Sequence, residues 1–232
     1  MTQYHVHTVR CPNCSRWFNF TRLSMYSGFA AASTTNYTDF FNEAAPSNSA
    51  LLGCPHCSTA YWSKDLPISS TYGLGEFRGK SPSASPIYGT KLVELLKQNF
   101  WKTQEEELFL RVMAWWWLNM PYRKAAEGEA TAADIDGRLH ENLTELLPLV
   151  EADTTSRAIM RAEILREIGR FQECIDVLDQ LIESKATDVN DTGNRLAISI
   201  ISDNAKNNVT RVQSFVVPVA SQDLVRINVL VR

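Results

Sequence analysis

The sequence lacks several features that would place it in a common functional class. No apolar run in its 232 residues approaches the length of about 18 that crosses a membrane, and no basic start with an apolar stretch marks a signal peptide. We find no Ser/His/Asp constellation, no helical His-Glu-x-x-His motif and no carboxylate pair with suggestive spacing. We therefore expect a cytoplasmic protein with no membrane segment and no enzymatic activity.

Cysteine is scarce, but its spacing is the most informative feature of the chain. The count is five, and an odd number with paired Cys-x-x-Cys spacing argues against a disulfide framework and for a reducing compartment. Four cysteines form two pairs, Cys11-Pro12-Asn13-Cys14 and Cys54-Pro55-His56-Cys57, with 39 residues between them. The fifth, Cys174, lies in a helical segment, where we predict a small buried core residue.

The two pairs predict one tetrahedral metal site. A tight turn that presents two thiolates on one side supplies half of such a site, and two turns complete it. Proline after each first cysteine fixes φ near the value that a tight turn needs. Aromatic and apolar residues flank both pairs, which predicts two short hairpins with a metal-binding knuckle at each tip. The predicted ligands are Cys11, Cys14, Cys54 and Cys57.

These motifs resemble the zinc-ribbon or rubredoxin-like arrangement. The resemblance implies a closed, structural four-cysteine site, in which metal binding supplies the folding free energy of a small domain. Zn²⁺ is the expected ion, and the same four ligands also suit iron.

Two other roles for residues near the knuckles are open. Cys54-Pro55-His56-Cys57 has the same four-residue sequence as the active site of strongly oxidising thiol oxidoreductases, whose first thiolate lies at a helix N-terminus. The segment that follows, 58–62, is a poor helix start, which disfavours this redox hypothesis. His5, His7 and His56 are candidate substitute or supporting ligands, but four thiolates already fill the site, so we expect partly exposed strand and turn histidines.

The charge distribution disfavours nucleic acid as a partner. Residues 1–90 carry six basic and four acidic residues, and residues 91–232 carry 17 and 22. Nucleic-acid binding draws most of its affinity from phosphate contacts. The excess of basic over acidic residues in residues 1–90 is offset by the charge of about −2 on a zinc ion with four thiolates. We expect another protein as the partner, with nucleic-acid binding through the ribbon as the alternative.

Composition predicts an α+β chain in three parts. Residues 1–66 form the predicted zinc-ribbon domain, with an inserted loop over 24–49. Residues 67–88 are rich in Ser, Gly and Pro, which predicts a linker or extended arm. Residues 89–232 form a mainly α-helical domain, and alternating apolar residues over 225–231 predict a strand, with 212–219 as its partner in a C-terminal β-hairpin.

Helical periodicity begins near Thr90. Thr103 with Glu106 three residues on predicts a capping box at the start of a helix, which Pro121 ends. Further helices are predicted over 137–150, from Asp153 or Thr154 to Ile168, over 171–184 and over 192–206.

Residues 155–184 resemble a tetratricopeptide helix pair, in which small residues let two helices approach and larger ones fill the gap. The pattern rests on Ala162, Gly169, Phe171, Cys174 and Leu178. Counting back one repeat of 34 residues from Gly169 reaches Ile135 rather than glycine, so an irregular helical bundle stays open.

The order of these features also resembles an uncharacterised bacterial family with an N-terminal four-cysteine ribbon followed by tetratricopeptide-like helices. The resemblance rests on the ribbon cysteines, Ala114-Trp115 and residues 162–178. It implies architecture and no activity.

The consecutive Trp115, Trp116 and Trp117 are the second unusual feature. Three successive helical residues spread their side chains over about 200° of the helix, so one packing surface cannot bury them all. Either the helix is enclosed in the core, or at least one ring lines a groove for a peptide or ligand, as aromatic residues do at interfaces.

Overall fold

The computed structural model describes residues 3–25, 50–73, 77, 79–119, 133–184 and 192–210. Within these residues the fold is α+β, as predicted: two three-stranded antiparallel sheets precede six helices. The chain divides into two compact units, residues 1–91 and 92–232. Among the described residues, no helix combines the length and apolar character needed to cross a membrane.

The first sheet has β1 (Gln3–Arg10) at its centre. Strand β2 (Trp17–Met25) and strand β5 (Ile68–Gly73) pair antiparallel with its two edges. The first Cys-x-x-Cys pair forms the connection between β1 and β2, so the sheet register places this knuckle at one end of the hairpin.

The second sheet has the order β4-β3-β6. Strands β3 (Leu51–Gly53) and β4 (Ala60–Trp62) flank the second knuckle, and the short β6 (Ser85–Pro86) pairs with the other edge of β3. Glycine at position 53 avoids tight contacts, because a Cβ there would lie 3.0 Å from Ile87 Cδ1 and 3.1 Å from the Ser85 carbonyl oxygen. Proline is tolerated in β6 because an edge strand leaves backbone donors unused.

A small hydrophobic cluster of described residues lies around the knuckles. It combines Leu66 with buried residues of both hairpins, including two of the four knuckle cysteines: Val9, Cys11, Phe18, Phe20, Leu52 and Cys54. A core of this size supplies limited hydrophobic stabilisation, so a cross-link between the hairpins has a large effect on folding.

The structure corrects the predicted linker over 67–88. Residues 68–73 form β5, residues 85–86 form β6, and the N-terminal unit extends to residue 91 instead of ending at 66. Strand β5 is mostly exposed and rich in Ser and Thr, so it lacks the apolar alternation that predicts a half-buried strand. Most of the predicted insertion, residues 26–49, lies outside the described residues.

The helical unit follows the predicted order closely. Its helices are α1 (Thr90–Lys97), α2 (Gln104–Leu118), α3 (Ala133–Leu146), α4 (Thr155–Glu167), α5 (Phe171–Glu183) and α6 (Thr192–Lys206). A 3₁₀ turn, Leu147–Leu149, follows α3. The predicted C-terminal hairpin lies outside the described residues.

Caps fix the starts of two helices. The Glu106 amide donates to Thr103 Oγ1 at 3.3 Å, and Glu106 Oε2 accepts from the Lys102 amide at 2.6 Å. The Arg157 amide donates to Thr154 Oγ1 at 3.3 Å. These contacts satisfy first-turn amides that have no partner within the helix, and they confirm both predicted start points.

The pairing of α4 and α5 follows from residue size. Gly169 connects them with a φ of +81°, a conformation that glycine adopts without strain. Ala162 on α4 and Cys174 and Leu178 on α5 are buried, as predicted, and α6 packs against both helices. The helix pair is therefore confirmed, while its tetratricopeptide-like character stays a prediction.

Candidate metal centre

The first knuckle is closed by backbone hydrogen bonds. The Cys11 amide donates to the Arg16 carbonyl and the Ser15 amide donates to the Cys11 carbonyl, each at 2.9 Å. Ser15 has a φ of +60°, which turns the chain back into β2. The Cys14 amide then points at Cys11 Sγ, 3.4 Å away, and stabilises a thiolate there.

The second knuckle repeats this geometry. The Cys54 amide donates to the Thr59 carbonyl and the Ser58 amide to the Cys54 carbonyl, again at 2.9 Å. Ser58 has a φ of +58°. Both Cys-Pro-x-Cys-Ser segments therefore present two sulfur atoms on one side of an equivalent turn.

The two knuckles bring all four predicted cysteines together. Their sulfur atoms lie within 4.8 Å of one another. The Cys11–Cys57 and Cys14–Cys54 sulfur pairs are each 3.7 Å apart, far beyond a disulfide bond of about 2.05 Å. A tetrahedral ion with metal–sulfur bonds of about 2.3 Å requires sulfur–sulfur separations of about 3.8 Å. The site therefore fits a single tetrahedral metal ion.

Tyr61 and Asn13 connect one knuckle to the other around the sulfur atoms. The Tyr61 hydroxyl, from β4, donates to Cys11 Sγ at 3.3 Å and accepts from the Asn13 amide at 3.2 Å. Asn13 Nδ2 donates to Thr59 Oγ1 at 3.0 Å, and Cys57 Sγ lies within hydrogen-bond distance of the same oxygen, at 3.3 Å. These roles were not predicted from the sequence, although the polar residue within the first knuckle and the aromatic residue after the second were visible signals.

The environments of the four sulfur atoms shift the cysteine pKa values in different directions. Burial raises the pKa of Cys54 to about 12, whereas hydrogen bonds from Thr59 lower the pKa of Cys57 to about 6. Four thiolates at these distances repel one another strongly, and a bound cation removes that repulsion. Metal binding is therefore coupled to proton release from the cluster.

The structure does not provide the helix that the redox hypothesis requires. Cys57 is followed by a turn and then by β4, whereas an oxidoreductase pair opens a helix. Cys54, the first cysteine of the pair, is also fully buried, and burial raises its pKa rather than lowering it. The geometry therefore favours metal binding over the redox hypothesis.

The three histidines near the knuckles lie outside the sulfur cluster. His7 is buried and its Nδ1 lies 2.9 Å from Thr71 Oγ1. His5 is half-buried and meets the His7 ring edge-on. His56 is exposed, and its Nε2 lies 3.1 Å from the Trp17 carbonyl oxygen. Among the described residues, the group close enough to hold an ion consists of the four cysteines. The burial of His7 differs from the expectation of partly exposed histidines.

The three consecutive tryptophans of α2 have different environments. Trp115 is 1% exposed, and its Nε1 donates to both carboxylate oxygens of Glu167 at 3.1 Å. Trp116 and Trp117 are half-buried. Trp115 is therefore a core residue, and a partner-binding role stays a prediction for Trp116 and Trp117.

Comparison with known proteins finds no matching family model, no matching curated protein and no matching solved structure. The resemblance to an uncharacterised bacterial family therefore stays a prediction, and functional inference rests on the residues of this chain.

Replacing Tyr61 with phenylalanine is expected to weaken metal affinity by about 10- to 100-fold, because the hydroxyl that orients Cys11 Sγ is lost. Competition with a chromophoric chelator measures the change. Tyr72→Phe is the matched control, since Tyr72 is exposed on β5 and lies outside the sulfur network. Equal affinity of the two variants would contradict a supporting role for Tyr61.

Proposed function

We propose that the chain is a non-enzymatic zinc-binding adaptor of a reducing compartment such as the cytoplasm. In this proposal a structural Zn²⁺ ion folds the N-terminal unit, and the tetratricopeptide-like helical unit binds another protein. The observation that carries the proposal is the closed arrangement of four sulfurs within 4.8 Å. Catalytic zinc sites keep a coordination position open for water or substrate, whereas four protein thiolates fill a tetrahedral ion.

Zinc is favoured over iron by its abundance in closed four-cysteine sites of this geometry. Elemental analysis distinguishes the two: zinc yields a colourless protein with one zinc ion per chain. An intensely coloured protein containing stoichiometric iron would overturn the assignment of zinc and leave the four-cysteine site intact.

An incompletely covered apolar stripe on α5 supports the protein-binding role. Phe171, Ile175 and Ile182 lie on one side of this helix at intervals of four and seven residues, beside its buried face. Phe171 and Ile175 are half-buried, and Ile182 is 51% exposed. Apolar side chains that extend the core face outwards are the type of surface to which a partner helix or peptide docks.

The adaptor proposal predicts a partner whose affinity depends on this stripe. A partner recovered by affinity capture is purified and its binding to the zinc-loaded chain is measured by calorimetry. Ile182→Glu is expected to weaken binding at least about tenfold, because a charge must be buried at the contact. Gln180→Glu adds the same charge at another exposed position of α5 and is expected to have little effect. Equal affinities would contradict binding through this stripe.

Nucleic-acid binding is the second candidate, and the surface of the first knuckle favours it. Trp17 is 45% exposed, and exposed Arg10 lies opposite it across the hairpin, with exposed Arg16 beside it in the chain. Residues 3–25 and 50–62 contain no acidic residue. An exposed indole with nearby guanidinium groups suits a stacked base and its phosphates. Salt-dependent binding of a single-stranded oligonucleotide that Trp17→Ala abolishes would favour this candidate over the adaptor.

A further inference from the structure

A buried charged cluster holds α2 against α4 in the helical unit. Arg166 and Glu167 at the end of α4 are buried, as are Glu163 one turn earlier and Trp115 and Asn119 of the α2 segment. The cluster lies in the described core, in a different unit from the sulfur site. Its side chains belong neither to the metal centre nor to the proposed partner-binding stripe on α5.

The cluster contains one cation and two carboxyl groups, and the cation is committed to one of them. Arg166 Nε and Nη2 donate to the two carboxylate oxygens of Glu163 at 2.8 and 2.7 Å. Arg166 Nη1 donates to the Val209 carbonyl oxygen at 2.5 Å. The distance from Arg166 Nη2 to Glu167 Oε1 is 3.9 Å, an ion-pair distance that is too long for a hydrogen bond. An ionised Glu167 therefore shares one cation with Glu163, and these three side chains together carry one net negative charge in the core.

The donors that reach Glu167 are neutral. Trp115 Nε1 donates to both of its oxygens at 3.1 Å, and Asn119 Nδ2 lies 3.1 Å from Oε2. Asn119 Oδ1, on the same amide, is buried without a hydrogen-bond partner. A protonated Glu167 offers one O–H donor. If the Asn119 amide rotates, the Glu167 O–H can donate to Asn119 Oδ1 while Asn119 Nδ2 donates to the other Glu167 oxygen. This pair of hydrogen bonds gives Asn119 Oδ1 its missing partner.

The other elements packed against α4 supply no compensating cation among the described residues. From α5, Cys174 faces the cluster, and burial raises the pKa of its thiol to about 12, so that it is neutral. From the end of α6, the contact is the backbone oxygen of Val209. The described ionisable side chains of α3 and α6 are at least partly exposed. Burial, aided by the charge of Glu163 and opposed by Arg166, raises the pKa of Glu167 to about 7.

We propose that Glu167 is a proton-binding latch, held as the neutral acid paired with the Asn119 amide, and that its ionisation loosens the attachment of α2 to α4. In the unfolded chain the same carboxyl ionises at its ordinary pKa of about 4.5. The raised pKa of the folded state means that the stabilisation is complete below about pH 4.5 and is lost as pH rises through about 7. The helical unit thereby becomes less stable as pH rises from about 4.5 to about 7.

The test compares the zinc-loaded full chain with its Glu167→Gln variant by urea unfolding at pH 5 and pH 8.5, followed by helix circular dichroism. Glutamine keeps the shape and donor of the neutral acid and cannot ionise. The ratio of the variant's folding constant to that of the wild type is expected to rise roughly 70-fold between the two pH values. Contributions from all other titrating groups cancel in this ratio. The control Glu183→Gln, at an exposed position of α5, is expected to leave the ratio unchanged.

A ratio for Glu167→Gln that is the same at both pH values would overturn the proposal, because it would mean that Glu167 is ionised throughout and acts as a second ion-pair partner of Arg166. A carbon-13 titration of the glutamate side-chain carboxyls in the wild-type protein gives an independent result. A Glu167 midpoint close to pH 7 supports the latch, and a midpoint below pH 5 overturns it even if the glutamine variant fails to fold.

Discussion

Replacing Cys11 with serine is expected to abolish stoichiometric metal binding and to unfold the N-terminal unit. The Cys11 sulfur lies 3.7 Å from that of Cys57 and accepts hydrogen bonds from Tyr61 and from the Cys14 amide. A serine hydroxyl is a poor ligand for a soft metal ion at neutral pH. The three cysteines that are left hold the ion weakly, and the two hairpins lose their cross-link.

The size of this effect follows from the size of the core. Structural zinc sites in small domains contribute about 10–16 kcal/mol of binding free energy, which becomes folding free energy. Natural domains have a net stability of about 5–15 kcal/mol. The folding free energy lost with the metal is therefore larger than the hydrophobic stabilisation that the buried residues between the hairpins supply. Removing the ion from the wild-type protein with a strong chelator is expected to have the same result.

The measurements are metal content by elemental analysis and amide NMR signals from residues 3–25 and 50–73. Cys174→Ser is the matched control, because it makes the same chemical change at a buried cysteine of the helical unit. This control is expected to keep one metal ion per chain. A Cys11→Ser variant that retains both the ion and the dispersed signals of the hairpins would refute the four-cysteine site.

Local signals explain why the knuckles and most helix ends were predictable from the sequence. A Cys-Pro-x-Cys turn encodes its own geometry, since proline sets φ and the thiolates attract the turn amides. Thr103, Thr154 and Gly169 act within one helical turn of their own positions, so their sequence neighbours determine their structure. Among the features predicted correctly, the pairing of the two knuckles is the long-range one, and the matched motifs made it predictable.

Features that depend on distant partners were not predictable. Strand β5 is held by hydrogen bonds to β1, about 60 residues away in the chain, and its Ser- and Thr-rich composition resembles a loop. The Tyr61 hydroxyl meets Cys11 across 50 residues, and Trp115 meets Glu167 across 52. Nothing local to α4 indicates that its last residue is a buried acid without a dedicated cation.

Trp115→Ala is expected to destabilise the helical unit by about 3–5 kcal/mol, the range for removing a large aromatic side chain from a core. The indole is 1% exposed, so its removal leaves a cavity between α2 and α4. It also removes the donor that reaches both Glu167 oxygens. The change in free energy of unfolding is measured by urea denaturation with helix circular dichroism.

Two further variants distinguish the effect of lost packing from the effect of the lost indole hydrogen bond. Trp117→Ala makes the same truncation at a half-buried position of the same helix and is expected to cost clearly less, because less contact area is lost. Trp115→Phe keeps most of the ring volume but removes the indole N–H, which isolates the cost of the lost hydrogen bond, about 1–3 kcal/mol for a buried group left unpaired. If Trp117→Ala is as destabilising as Trp115→Ala, the helix is enclosed on both sides, and Trp117 is then a core residue that is not free to line a binding groove.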